Sequence, residues 1–147
     1  MRFLLLAVLG IGLLSCGSES SPKSSPESGV SRTPSPAGAE VYFVSPADGD
    51  VFAGEVVVEF GIRGMDVVPA GTEKDNSGHH HLLIDAAGLP PLDQPMTDTV
   101  MHFGAGQTEA VLTLDSGTHT LQLILGDHFH IPHDPPVVSE KITITVE

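Results

Sequence analysis

From residue 40 onward, several short runs carry apolar side chains at every second position, and no window of ten or more residues carries a helical repeat. "EVVVEFGIRG" puts Val56, Val58, Phe60 and Ile62 on one side of an extended chain, and "KITITVE" does the same with Ile142, Ile144 and Val146. Side chains two apart share one face of a strand, so such residues can be buried only by pairing the strand into a sheet and covering that face. The expectation is an all-β domain.

Turn residues divide this region into strands expected at 41–52, 55–63, 79–86, about 97–103, 109–114, 118–126 and 138–146. About seven short strands in about 108 residues predict an immunoglobulin-like antiparallel β-sandwich, with a cupredoxin-like or jelly-roll barrel as the alternative. The cysteine pair and core tryptophan of antibody domains are absent, because the chain has one cysteine and no tryptophan. Only the architecture is therefore expected.

The first fifteen residues have another character. Arg2 precedes an apolar run from Phe3 to Leu14, too short for a confident membrane span, and the pattern is that of a cleaved signal peptide over 1–15. Cys16, in "LLSCG", resembles the lipidated cysteine of the bacterial lipobox, and Gly17 after it suits outer-membrane sorting in a Gram-negative host. Once acylated, Cys16 leaves the domain no thiol for a disulfide or a thiolate metal ligand. "GSESSPKSSPESGVSRTPSPAGA" has almost nothing to bury, so residues 16–39 read as a lipidated cysteine followed by a disordered Ser/Pro-rich tether, and 40–147 as the sandwich. The expected location is the cell envelope, on the periplasmic side of the outer membrane or at the cell surface.

Charge narrows the partners. Residues 40–147 hold three basic residues, Arg63, Lys74 and Lys141, against seventeen acidic ones. Such a balance argues against nucleic acid and against contact with an anionic membrane other than through the lipid, and it suits a domain that attracts cations.

The histidines are the chemistry-bearing residues. "SGHHHLLID" opens the strand expected at 79–86, and alternation puts His79, His81, Leu83 and Asp85 on one face with His80, Leu82 and Ile84 on the other. A His-x-His pair on one strand face, with Cα atoms about 7 Å apart, can direct two imidazoles at one ion. In an immunoglobulin-like connectivity His102 and the histidines of "GDHFHIPHDPPV", His128, His130 and His133, fall at the same pole, while His119 belongs to the other end. The candidate ligands are thus His79, His81, His102, His128, His130 and His133, the ion copper or zinc. Met65 and Met101 are accessory thioethers, and Asp127 and Asp134 are carboxylates that would fix imidazole tautomers. His80 and His119 read as structural. From the ordinary imidazole pKa of about 6.5, occupancy is expected to fall as pH drops through roughly 6 to 5.

"FVSPADGDVF", "GHHHLLID", "MHFGAGQTEAVLTL", "GTHTLQLILGD" and "HDPPVVSEKITITV" together resemble the bacterial family called domain of unknown function 4399, over Tyr42 to Val146. The resemblance implies kinship and no activity. No nucleophile elbow, His-Glu-x-x-His or phosphate-cradling glycine loop is present, so an enzyme is not the expectation. Three classes remain: a metal-binding lipoprotein, a structural envelope module without metal, and a metal-dependent enzyme.

The lipobox reading has a direct consequence. Cys16→Ser is expected to release the protein from membranes or leave it misprocessed, as read by fractionation and detergent partition. A variant that still partitions quantitatively with membranes would overturn the anchor.

Overall fold

The period-two segments form nine strands, and no helix occurs among the described residues, which in this computed structural model are 31–147. The signal peptide expected over 1–15, Cys16 and the tether up to residue 30 lie outside the described residues.

Strands β1 (Glu40–Ser45), β3 (Val56–Arg63) and β7 (Glu109–Leu112) make a three-stranded sheet in the order β1-β3-β7. The second sheet runs β2-β9-β8-β5-β4, built from β2 (Val51–Phe52), β9 (Ile142–Val146), β8 (Gly117–Gly126), β5 (Ser77–Ile84) and β4 (Asp66–Val67). The two-residue β6 (Met101–His102) also pairs with β5. All pairings are antiparallel except β2 with β9 and β4 with β5. The two sheets form a β-sandwich.

Alternation decides what lies between them. Val56, Val58 and Phe60 of β3 meet Leu82 of β5, Leu121, Leu123 and Leu125 of β8, and Ile142 and Ile144 of β9 in one apolar cluster. Each such side chain contributes roughly 1.5–3 kcal/mol when fully buried. Of the inward residues expected from the pattern, Ile62 and Ile84 are only half-buried.

Three segments differ from expectation, each for a local reason. The strand expected at 41–52 is split between the sheets. Asp48 accepts the Thr143 N–H at 2.7 Å and Gly49 donates to the Thr143 carbonyl at 2.7 Å, which carries the chain across to β9. The strand expected at about 97–103 shrinks to β6, because residues 97–100 form a turn in which the Val100 N–H donates to the Thr97 carbonyl at 3.2 Å. Residues 32–35, read as tether, are instead hydrogen-bonded to the loop at 127–135.

The outer face of the six-stranded sheet is also partly covered. Leu83 of β5 and Ile124 of β8 point away from the main core and pack with Met96 and Val100 from the segment after β5. Both faces of β5 are therefore buried, which explains a strand carrying three fully covered histidines in a row.

His80 belongs to the inner face. Its ring packs on Phe60 at 5.2 Å between centroids, neither ring nitrogen has a hydrogen-bond partner, and burial pushes its pKa down to about 4. The unfolded chain accepts a proton near pH 6.5 that the folded chain refuses, so stability present above that pH is lost as pH falls toward about 4. His80→Leu is expected to narrow the difference in stability between about pH 7 and pH 5 by about 1–2 kcal/mol, measured by urea unfolding of metal-free protein. An unchanged pH dependence would mean that His80 is not held neutral.

Candidate metal centre

The site is built on the ladder between β5 and β8, whose register sets His79 opposite Gly126 and His81 opposite Ile124. His79 and His81 emerge on the outer face, one beside the other, with ring centroids 4.7 Å apart. Room for them comes from Gly126, where a Cβ would lie 2.6 Å from Cε1 of His81 and 2.8 Å from Cε of Met96. A side chain there would displace the imidazole.

The third ring arrives by strand pairing, since β6 sets His102 directly opposite His81 and on its face, at 5.1 Å. The fourth comes from the loop after β8. There the chain turns, His130 adopts φ 66°, and its ring lies 4.9 Å from His79, 4.7 Å from His102 and 6.0 Å from His81. With His79 and His102 at 5.0 Å, all six pairs among the four rings fall between 4.7 and 6.0 Å. His79, His81 and His102 each offer a nitrogen, the three within 4.8 Å of one another, and could hold a metal ion.

Burial grades across the cluster. His79 and His81 are covered, and all four of their ring nitrogens lack a hydrogen-bond partner; His130 is half-buried and His102 exposed. Burial, then the neighbouring imidazoles of His130 and His102, push the His79 pKa to about 4. Burial, then His79, His102 and His130, take His81 to about 3. Burial and His130 also lower His102. Rings held neutral keep a lone pair free for a Lewis acid. A cleft of about 230 Å³ lined by His81, His102, His130, Met96, Thr97 and Asp98 leads from the surface to the cluster. The larger groove beside β1 has no histidine in its wall.

Not every expected ligand joins them. His128 does not extend the strand alternation, because β8 ends at Gly126, and its ring lies against Phe129 at 4.0 Å. His133 is buried beside Gly78 on the inner side, donating from Nε2 to the Ser77 carbonyl at 3.1 Å. Met65 sits in the main apolar cluster. Met101 pairs with Leu82, so alternation sends it to the face opposite His102. Asp134 is exposed and paired with Arg32. The Asp127 carboxylate is hydrogen-bonded to the Thr33 hydroxyl and to the N–H groups of Phe129 and Ile131, with no imidazole among its partners. The thioether that does line the cleft is Met96, which the sequence hides in a proline-rich segment without periodicity.

His119 stands apart with a different chemistry. Its two ring nitrogens meet the Asp85 carboxylate at 2.7 Å and the Asp115 carbonyl at 2.8 Å, both acceptors, so the doubly protonated ring satisfies both and its pKa is raised.

Among curated proteins and among solved structures nothing matches this chain. A family model does, described as a domain of unknown function (DUF4399), over residues 58–147, more than half of the sequence and a span that contains all four clustered histidines. The chain belongs to the DUF4399 family.

Proposed function

We propose that this chain is an envelope-anchored metal-binding module, tethered through Cys16, whose sandwich holds a copper or zinc ion between His79, His81, His102 and His130. One observation carries the reading: four imidazoles converge with all centroid separations between 4.7 and 6.0 Å. A tetrahedral ion bound at about 2.0–2.1 Å places each ring centroid about 3.2 Å away, and hence the centroids about 5 Å from one another. Four imidazoles, two of them buried with unpartnered nitrogens, meet that demand with no thiolate, which suits zinc or copper.

Four imidazoles around one ion leave no open position, whereas catalytic zinc sites keep one for water. Binding or handling of the ion is therefore favoured over hydrolysis. Protons compete late for the two buried ligands, since His79 and His81 titrate at about 4 and about 3. The fall in occupancy expected at pH 6 to 5 from ordinary imidazole moves downward for these two.

Titration of the tag-free protein with Zn²⁺ and with Cu²⁺ tests the reading. Binding tighter than about 10 μM is expected for at least one ion, together with a rise in thermal stability. His79→Ala combined with His81→Ala is expected to abolish both effects. His130→Ala is expected to weaken binding by at least about 100-fold, while His119→Ala leaves it intact. No binding at that threshold for either ion would return these histidines to a structural role.

A further inference from the structure

The loop that delivers His130 is held from outside the sandwich. Arg32 donates from Nε to the Pro132 carbonyl at 3.0 Å and from a second nitrogen to the His133 carbonyl, and it pairs with the Asp134 carboxylate at 3.2 Å. The Asp134 N–H donates to the Thr33 carbonyl at 2.9 Å, and the Ser35 N–H to the Asp134 carbonyl at 3.0 Å. Residues 32–35 thus lie along residues 132–135 as a short parallel bridge centred on Pro34 and Asp134.

The contact nearest the histidine is made by Thr33. Its hydroxyl donates to Oδ2 of Asp127 at 2.7 Å, while Oδ1 of the same carboxylate accepts the N–H groups of Phe129 at 2.9 Å and Ile131 at 3.0 Å. Asp127 also brackets His130 through its backbone, accepting the His130 N–H at 2.9 Å and donating to the Ile131 carbonyl at 2.9 Å. Burial alone would raise the Asp127 pKa, yet the bonds from Thr33, Ile131 and Phe129 hold the carboxyl below its ordinary value. A buried carboxylate is a strong organiser only while its donors remain, and here one of the three comes from a residue 94 positions away.

What this organisation fixes is costly for the chain to adopt by itself. His130 is a non-glycine residue at φ 66°, an uncommon conformation that carries a local backbone cost. Two anchors enforce it: Asp127 on one side, and on the other the Met96 N–H, which donates to the His130 carbonyl at 2.8 Å.

We infer that the segment 32–35 is a strap whose Thr33 is a positioning residue for His130, acting through Asp127, so that the fourth ligand of the metal centre depends on the stretch joining the domain to its tether. The inference rests on the metal-binding reading above. A fragment beginning at Glu40 would lack the strap entirely.

A double-mutant cycle on the full-length chain tests it, with the Zn²⁺ dissociation constant as the readout. Thr33→Val, which keeps the shape and removes the hydroxyl, is expected to weaken Zn²⁺ about 10-fold, within the range for residues that orient a ligand, and Thr33→Ser to restore native affinity. In a His130→Ala background, Thr33→Val is expected to have no further effect. With Co²⁺ as a spectroscopic probe, Thr33→Val should shift the visible bands toward those of His130→Ala. Equal weakening by Thr33→Val in both backgrounds, or no weakening in either, would overturn the positioning role while the wild-type titration still supports the site. Absence of binding in the wild-type chain would remove the metal reading itself and the strap's role with it.

Discussion

The antiparallel ladder between β5 and β8 is the constraint from which the site follows. Because His79 faces Gly126 and His81 faces Ile124, one register fixes three things together. It sends the two histidines outward, keeps Leu82 with Leu123 inward, and starts the loop at 127 on the side where the histidines emerge. A slip of one residue would exchange the faces, placing Leu82 outside and the imidazole pair in the apolar core. The main core enforces that register from within, and the smaller cluster of Leu83, Met96, Val100 and Ile124 enforces it from without.

The sequence made legible whatever rests on alternation. The two-sheet sandwich, the inward residues of β3, β8 and β9, and the shared face of His79 and His81 all follow from a period of two. His102 was placed at the same pole by connectivity alone; its seat opposite His81 comes from the pairing of β6 with β5, which the sequence did not show. Beyond the strand ends the rule has no purchase. His130 was singled out by its residue type, but a turn and a positive φ are what bring it to the other rings, and the same turn sends His128 to Phe129. His133 illustrates the point again, since its place beside Gly78 is set by the return of the loop across the top of β5.

The strap was illegible for a further reason. Arg32 and Thr33 sit in a stretch whose serine and proline content reads as disorder, and their partners are backbone carbonyls and one carboxylate about a hundred residues on. Composition reports how much a segment can bury. It is silent on whether a few directed hydrogen bonds await it elsewhere, and Asp127 offers one.

The four rings divide by the stiffness of what carries them. His79 and His81 ride on the central strand, buried, with their neighbours packed on both faces. His102 sits on a two-residue strand at the surface and His130 on a loop reached by the cleft. Buried imidazoles without hydrogen-bond partners cost the apo fold free energy, because each polar nitrogen has left water for nothing. On the proposed metal-binding reading an ion would offset part of that cost, so the rigid pair would supply affinity through the folding equilibrium itself. His102 and His130 rest on fewer buried contacts than the central pair, and His130 keeps its place through the backbone bonds to Asp127 and Met96. On that reading the centre would join a rigid buried pair to two rings bordering the cleft, an arrangement that suits handling an ion more than a purely structural metal site.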